Sequence, residues 1–367
     1  MTSIKEVIQH LERIAPPSYQ ENYDNSGLIV GDMTTAVTGV LVCLDSTEAI
    51  VAEAIEKGCN LIIAHHPIVF KGLKRLNGKN YVERTILKAI KNDIAIYAIH
   101  TNLDNQLYQG VNTKIGELLD IKNPKILVPK TQTLMKLTTF VPVPQTEAVL
   151  TALFDAGAGE VGNNYEHCSF RSLGVGSFKP KDGANPFIGA VGKEEQVVEH
   201  RIEVIFERHL EGKVLTALHQ AHPYEEILYY LHLLENTNQL VGSGMIGTLD
   251  APMEEKAFLK QLKKTMKAGV VRYTNLQNKP ISRVAWCGGS GGFLLNAAIA
   301  QNADVFITAD YKYHEFFDAD NRIIIADIGH FESEQYTIEL IFDIISKKFS
   351  NFAVNLTQVN TNPVNYL

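Results

Sequence analysis

Leu61-Ile62-Ile63-Ala64-His65-His66-Pro67 decides how this chain is read. Four successive apolar residues make a strand with no wet face, the pattern of a strand inside a parallel sheet covered on both sides. Two histidines follow at its C-terminal end, where open α/β sheets bind their ligands. Pro67 has no N–H for the ladder, so it ends the strand and turns the chain. Adjacent strand residues point to opposite faces. At a strand end where the chain turns, both rings can still reach one cluster, or one metal each; the alternative is a packed or surface pair.

Working outward, strands and helices alternate. Ser3 to Ile14 reads as an amphipathic helix stopped by Pro16 and Pro17. Val40 to Leu44 is a strand, and Ser46 opens a helix that Gly58 closes. Tyr81 to Asn92 is a helix, Ile94 to Ile99 a strand, and Gly110 to Leu119 a helix. The C-terminal third repeats the rhythm: strand Ile281 to Cys287, helix Gly291 to Gln301, strands Val305 to Thr308 and Arg322 to Asp327, then one long helix from Phe331 to Lys348. This is an α/β pattern. The two thirds also align without a gap. Val40 falls on Val284, Cys43 on Cys287, Ser46 on Ser290, Ala54 on Ala298, Ile55 on Ile299, Asn60 on Asp304 and His66 on Asp310. We read a duplicated βαβ unit, whose two parallel-type sheets would face a shared metal cleft.

The middle breaks the pattern. Met135 to Val141 is a strand, Gln145 to Ala156 a helix, Cys168 to Phe178 and Val197 to Glu207 strands, Leu210 to Ala221 a helix and Ile227 to Glu235 a strand. That β-α-β-β-α-β order is the ferredoxin-like split unit. It implies an inserted domain over residues 132–236, between core halves 1–131 and 237–367, with turn-rich borders.

Two further strand ends carry chemistry. Ile96-Tyr97-Ala98-Ile99-His100-Thr101-Asn102-Leu103-Asp104 brings Asp104, a hard oxygen ligand able to bridge divalent ions. His100 in the same stretch can orient a ligand or move a proton. Ile323 to Asp327 leads to His330 and, one helical turn on, Glu334, an i, i+4 pair on one helical face. Asp310 and His314, spaced likewise, follow the strand end equivalent to His65-His66; Asp310 is expected to orient a ligand or touch substrate, and His314, like His100, is a candidate general acid or base. Gly288-Gly289-Ser290-Gly291-Gly292 joins a strand to a helix, either as a tight turn or as a phosphate cradle; it lacks the Gly-Lys-Ser/Thr ending of a P-loop.

Composition bounds the function. The 367 residues are 45% hydrophobic and 20% charged, with a net charge of −7 and no Lys/Arg-rich run. Nucleic-acid and membrane-surface roles are therefore disfavoured. Met1 to Ile14 has no apolar signal segment, no run is long enough to span a bilayer, and the four cysteines form no C-x-x-C pair. The expectation is a cytoplasmic protein with reduced thiols.

Taken together these residues resemble one family, the GTP cyclohydrolase 1 type 2 homologs, or Nif-three-like dinuclear metal-centre proteins. The resemblance runs over nearly the whole chain. It rests on Ala15-Pro16-Pro17 leading to Asp24-Asn25-Ser26-Gly27-Leu28, on His65-His66-Pro67, His100-Thr101-Asn102-Leu103-Asp104 and Thr308 to His314, and on Gly329-His330 with Glu334. It implies that His65, His66, Asp104, His330 and Glu334 hold two divalent metal ions per chain, zinc first, with iron or manganese as alternatives. It also implies a homo-oligomer, a toroidal homohexamer. The insert resembles PII-like, CutA-like domains through Gly162-Asn163-Asn164-Tyr165, Cys168-Ser169-Phe170, Gly183-Ala184-Asn185-Pro186 and His222-Pro223-Tyr224-Glu225-Glu226. Ala309 and Ser26 depart from the pattern, where glycine and valine are expected. The function expected is a metal-dependent hydrolase for a small nucleotide-like or phosphate-bearing substrate; the alternative is a metal-dependent ligand-sensing or regulatory protein.

Overall fold

The computed structural model describes all residues from Met1 to Leu367. It has two compact units, Met1–Val128 with Leu240–Leu367, and Pro129–Gln239. In chain order the strands are β1 (Gly27–Val30), β2 (Gly39–Cys43), β3 (Leu61–Ala64), β4 (Ala95–Ala98), β5 (Lys122–Lys130), β6 (Leu134–Pro142), β7 (Ser169–Phe178), β8 (Glu195–Glu207), β9 (Tyr229–Leu233), β10 (Asn238–Met253), β11 (Arg272–Tyr273), β12 (Ile281–Trp286), β13 (Val305–Thr308), β14 (Ile324–Asp327) and β15 (Ala353–Leu356).

The first unit is built on two sheets, ordered β1-β4-β3-β2-β15 and β11-β14-β13-β12-β10-β5. In each, three parallel strands form the centre: β2, β3 and β4 in one, β12, β13 and β14 in the other. The duplication extends to the pairing register. Val40 lies opposite Leu61 and Val42 opposite Ile63; their counterparts Val284 and Trp286 lie opposite Val305 and Ile307. Each sheet also carries an antiparallel strand beside its third parallel strand, β1 on β4 and β11 on β14.

Alternation along the central strands explains why they are largely apolar. Val40, Val42, Leu61 and Ile63 share one core with Val284, Trp286, Val305 and Ile307. Leu41, Cys43, Ile62 and Ala64 instead face the helices Glu48–Glu56 and Tyr81–Lys91. Ala285, Cys287 and Phe306 likewise face the helix Leu295–Ala300. Both faces of these central strands are dry, as parallel strands require, except at the start of β12, where Ser282 is half-buried and Arg283 exposed.

Several elements differ from the sequence reading. Strands β1, β5, β10, β11 and β15 and the helix Glu255–Thr265 were not expected; β1, β5, β11 and β15 lie at sheet edges, whereas β10 is a 16-residue strand between β12 and β5. The sheets are mixed rather than purely parallel. The expected long helix is two, His330–Glu334 and Thr337–Lys348. Residues 291–301 begin as a 3-10 turn, Gly292–Leu294, before the helix.

The second unit has a four-stranded antiparallel sheet, ordered β7-β8-β6-β9. Helices Thr146–Asp155 and Glu211–Ala221 cover one face, packing Val149, Leu153, Val214 and Leu218 on Leu137 and Val204. This is the ferredoxin-like arrangement that the element order implied.

Candidate metal centre

The two histidines after β3 stay on the ladder. The His65 N–H donates to the Cys43 carbonyl at 3.1 Å and the His66 N–H to Leu44 at 2.9 Å. Side-chain contacts then fix each ring. His65 is fully buried, and its Nδ1 lies 2.9 Å from the Ile99 carbonyl, which can only accept. The proton is therefore on Nδ1, and the Nε2 lone pair points at Asp104 Oδ1, 3.5 Å away, and at Glu334 Oε2, 3.9 Å away. Burial lowers the His65 pKa to about 3, so this ring stays neutral.

His66 reaches the other way. Its Nδ1 lies 2.8 Å from Asp45 Oδ1, and its Nε2 lies 2.9 Å from Glu334 Oε2 and 3.3 Å from His330 Nε2. Burial opposes protonation, but Asp45 and Glu334 outweigh it and raise the pKa to about 10. At the other sheet, Gly329 turns the chain after β14 with φ 92° and opens the short helix His330–Glu334. His330 Nε2 lies 3.1 Å from Glu334 Oε2, and its Nδ1 lies 2.6 Å from Asp310 Oδ2. Here too burial is outweighed, by Glu334 and Asp310, and the pKa rises to about 11.

The two central carboxyl groups behave oppositely. Burial, then the neighbouring Glu334 charge, pushes Asp104 well above the usual carboxylate range. Glu334 is more deeply buried, yet His330 and His66 hold it well below that range. His65 Nε2 and Asp104 Oδ1 are buried with no hydrogen-bond partner. Orphaned polar atoms of this kind are costly unless something fills the gap between them. Three donor groups are close enough to hold an ion: His65 with His66 and His100; His66 with His330 and Glu334; and His65 with Asp104 and Glu334. Glu334, His65 and His66 each belong to two of the three.

His100 follows β4 with its ring centroid 5.2 Å from that of His65 and 5.3 Å from that of His66. Its Nδ1 is held by Asp24 Oδ1 at 2.8 Å. Asp24 also takes the Thr101 N–H at 3.0 Å and the Ser26 hydroxyl at 3.0 Å. The stretch Asp24 to Ser26 is therefore a clamp on His100. Asp310 reaches the centre as a support for His330. His314 does not reach it. The segment Tyr313–Ala319 is a 3-10 helix that begins after Asp310, so the i, i+4 spacing does not place the two side chains on one face; His314 is exposed beside Tyr313 and Phe317.

The glycine loop is a tight turn. Three of its five N–H groups are taken internally: Gly288 donates to Asn112 Oδ1, Gly289 to Ser333 Oγ and Gly291 to Thr308 Oγ1, each at 2.9 Å. Gly289 sits at φ 61°, and a Cβ there would lie 2.4 Å from Glu334 Oε1. The loop is glycine because Glu334 occupies that space. Two supports escaped the sequence reading. Asp24 stood inside a quoted motif with no role assigned, and Asp45 went unremarked, although it follows an apolar strand as His65 and Asp104 do.

His66, His100, Asp104, His330 and Glu334 line a cleft of about 1030 Å³. Besides its histidines, its one basic lining residue is Arg272, which is committed to Asp327 and to the Tyr311 carbonyl at 3.0 Å. The C-terminal tail closes one side, with the Thr361 hydroxyl on Asp45 Oδ2 at 2.7 Å.

A family model described as Duf34/NIF3 (NGG1p interacting factor 3) matches residues 2–363. The chain belongs to the Duf34/NIF3 family. Among relatives of this Duf34/NIF3 chain, a Bacillus subtilis protein named GTP cyclohydrolase 1 type 2 homolog is 37% identical, the match covering 99% of this chain and 98% of that one. A protein of the same name from Halalkalibacterium halodurans is 39% identical, with 98% of each covered. A Bacillus cereus crystal structure described as related to NIF3 superposes with a TM-score of 0.87 at 36% identity, covering 100% of this chain and 99% of that one. No helix of the chain is long and apolar enough to cross a membrane.

Proposed function

We propose that this cleft holds two divalent metal ions and hydrolyses a small nucleotide-like or phosphate-bearing substrate. The observation that carries the reading is the pair of donor groups joined by Glu334, one with His66 and His330 and the other with His65 and the unpartnered Asp104 oxygen. His65, His66, Asp104, His330 and Glu334 are the ligands in this reading, with Glu334 shared. Divalent ions there would polarise a substrate oxygen and acidify a water at neutral pH. Nitrogen and carboxylate donors suit zinc, iron or manganese, with zinc taken first.

The chain's own groups do the rest. Asp45 and Asp310 fix the His66 and His330 rings through Nδ1, turning each Nε2 inward. His100, clamped by Asp24, keeps its other ring nitrogen for the cleft and is placed to move a proton to or from substrate. A phosphate finds little other positive charge in the cleft, so its binding would depend on the metal. We also take the working form to be a homo-oligomer, a hexamer by family resemblance, in the cytoplasm.

The test is elemental mass spectrometry on protein purified without added metal or chelator. About two ions per chain, absent from the His65→Ala/His66→Ala double variant, support the reading. Phosphoesters and nucleotides, GTP included, are then screened for turnover. Turnover that survives in the metal-free variant overturns it. A metal-dependent sensing role without turnover is the second reading, favoured by a separate pocket in the inserted unit.

A further inference from the structure

Two of the inserted unit's motifs, Gly183 to Pro186 and His222 to Glu226, meet at a site outside the metal cleft. On the sheet face away from the helices lies a pocket of about 650 Å³. At its floor is Glu199, 7% exposed, a charged side chain buried in a small domain. The Tyr224 hydroxyl donates to its Oε1 at 2.7 Å. Across the pairing of β7 with β8, Gly174 stands opposite Glu199, and a Cβ on Gly176 would lie 2.2 Å from Glu199 Oε2. Glycine on β7 thus leaves room for the carboxylate.

The surrounding residues build the pocket. His222 Nε2 lies 2.9 Å from the Phe140 carbonyl, while its Nδ1 accepts the Tyr224 N–H at 3.1 Å, so this ring locks Tyr224 in place. The Glu225 carboxylate takes the Asn185 N–H at 2.9 and 3.1 Å, clasping the loop around Gly183 to Pro186. That loop brings Phe187 to 6.3 Å from the Tyr224 ring, and Phe178 lies 5.9 Å from it. Lys179, Lys181 and Arg201 complete the lining.

We propose that this pocket binds a planar heteroaromatic ligand that carries N–H donors and an anionic arm, a purine nucleotide being the simplest example. Aromatic walls select a flat ring. A buried carboxylate has acceptors only, so the ligand must supply N–H groups to it. The lysines on the loop after β7 supply the charge for the arm. The site is separate from the metal cleft, and the inference stands whether or not the first unit turns over a substrate.

The experiment is calorimetric titration of the metal-stripped, full-length chain with AMP and GMP, so that the metal cleft does not contribute. One of them binds at one site per chain with Kd of about 0.1 mM or tighter. Glu199→Gln weakens it by about tenfold or more, the worth of a hydrogen bond to a charged group, with the melting temperature retained. Lys179→Ala/Lys181→Ala weakens the nucleotide and spares the nucleoside. Purine riboside 5′-monophosphate, whose base has no N–H donor, binds far more weakly to the unaltered chain, which tests the carboxylate's role even where a variant misfolds. No heat with either nucleotide up to about 5 mM, or equal binding of the donor-free analogue, overturns the proposal.

Discussion

Glu334 Oε2 lies 2.9 Å from His66 Nε2, although 268 positions separate the two residues. The contact joins the two halves of the duplication, because His66 leaves the end of β3 and Glu334 follows β14. The same oxygen lies 3.1 Å from His330 Nε2, so one carboxylate serves donors from both sheets.

Glu334→Gln should therefore disturb both donor groups. The expected outcome is a fall from about two ions per chain to well under one, whereas Asp104→Asn, which alters one group, leaves about one. Elemental mass spectrometry on the two variants checks it. Equal losses would show that the donors do not divide as the distances suggest.

Asp45 and Asp310 touch the far nitrogens of His66 and His330 and no other donor of the centre. Asp45→Ala or Asp310→Ala should weaken metal binding by roughly 10- to 100-fold with the fold intact, the usual cost of losing a carboxylate behind a histidine ligand. Competition with a chromogenic chelator measures it.

Gly289→Ala tests the loop. Its Cβ would meet Glu334 Oε1, and the backbone there is left-handed. A stability loss of about 1–2 kcal/mol is expected from the backbone alone. Lower metal content is the diagnostic result, since strain without displacement of Glu334 would leave the metal in place.

His100 and His314 separate cleanly. His100→Gln should lower turnover by about 10²–10⁴-fold while metal content holds, as for loss of a proton-transfer group. His314→Ala should leave both unchanged, because that ring is exposed outside the cleft. Steady-state rates on any substrate found in the screen decide between them.

Acid sensitivity should come partly from the C-terminal anchor. Glu53 takes Lys57 Nζ at 2.7 Å and the Gln358 N–H at 2.9 Å, and also the Thr357 hydroxyl. Burial works against its charge, but Lys57 and Thr357 hold its pKa below the ordinary 4.5. A depressed carboxylate binds fewer protons folded than unfolded, so its contribution is present above that value and lost as pH falls through the folded pKa. Glu53→Gln should cost about 1–2 kcal/mol near neutral pH, and the difference should shrink in acid. Thermal melts of both proteins from about pH 7 down to about pH 3 show whether the gap closes.

Much of the centre was legible before folding because its donors sit at the ends of apolar strands. Leu61 to Ala64 and Val305 to Thr308 occur in the structure with the bounds expected. Runs of this kind carry their own signal, since a strand buried on both faces must be apolar throughout. Edge strands such as β11, two residues long, carry none. His314 was misplaced for a related reason: i, i+4 spacing implies one face only within an α-helix, and Tyr313–Ala319 winds as a 3-10 helix.

The order of residues alone settled the α/β class, the repeated βαβ unit, the split βαββαβ insert and the residue types at the strand ends. These follow from periodicity, turn chemistry and side-chain type, which act over neighbouring positions. Tertiary packing settled the rest: that Glu334 is shared, that Asp45 and Asp24 are the supports, that three N–H groups of the glycine loop are spent internally, and that Glu199 lies under Tyr224. Each of these is a distance between segments far apart in the chain. Such distances are set by how buried faces and sheet registers fit together, and no local pattern encodes them.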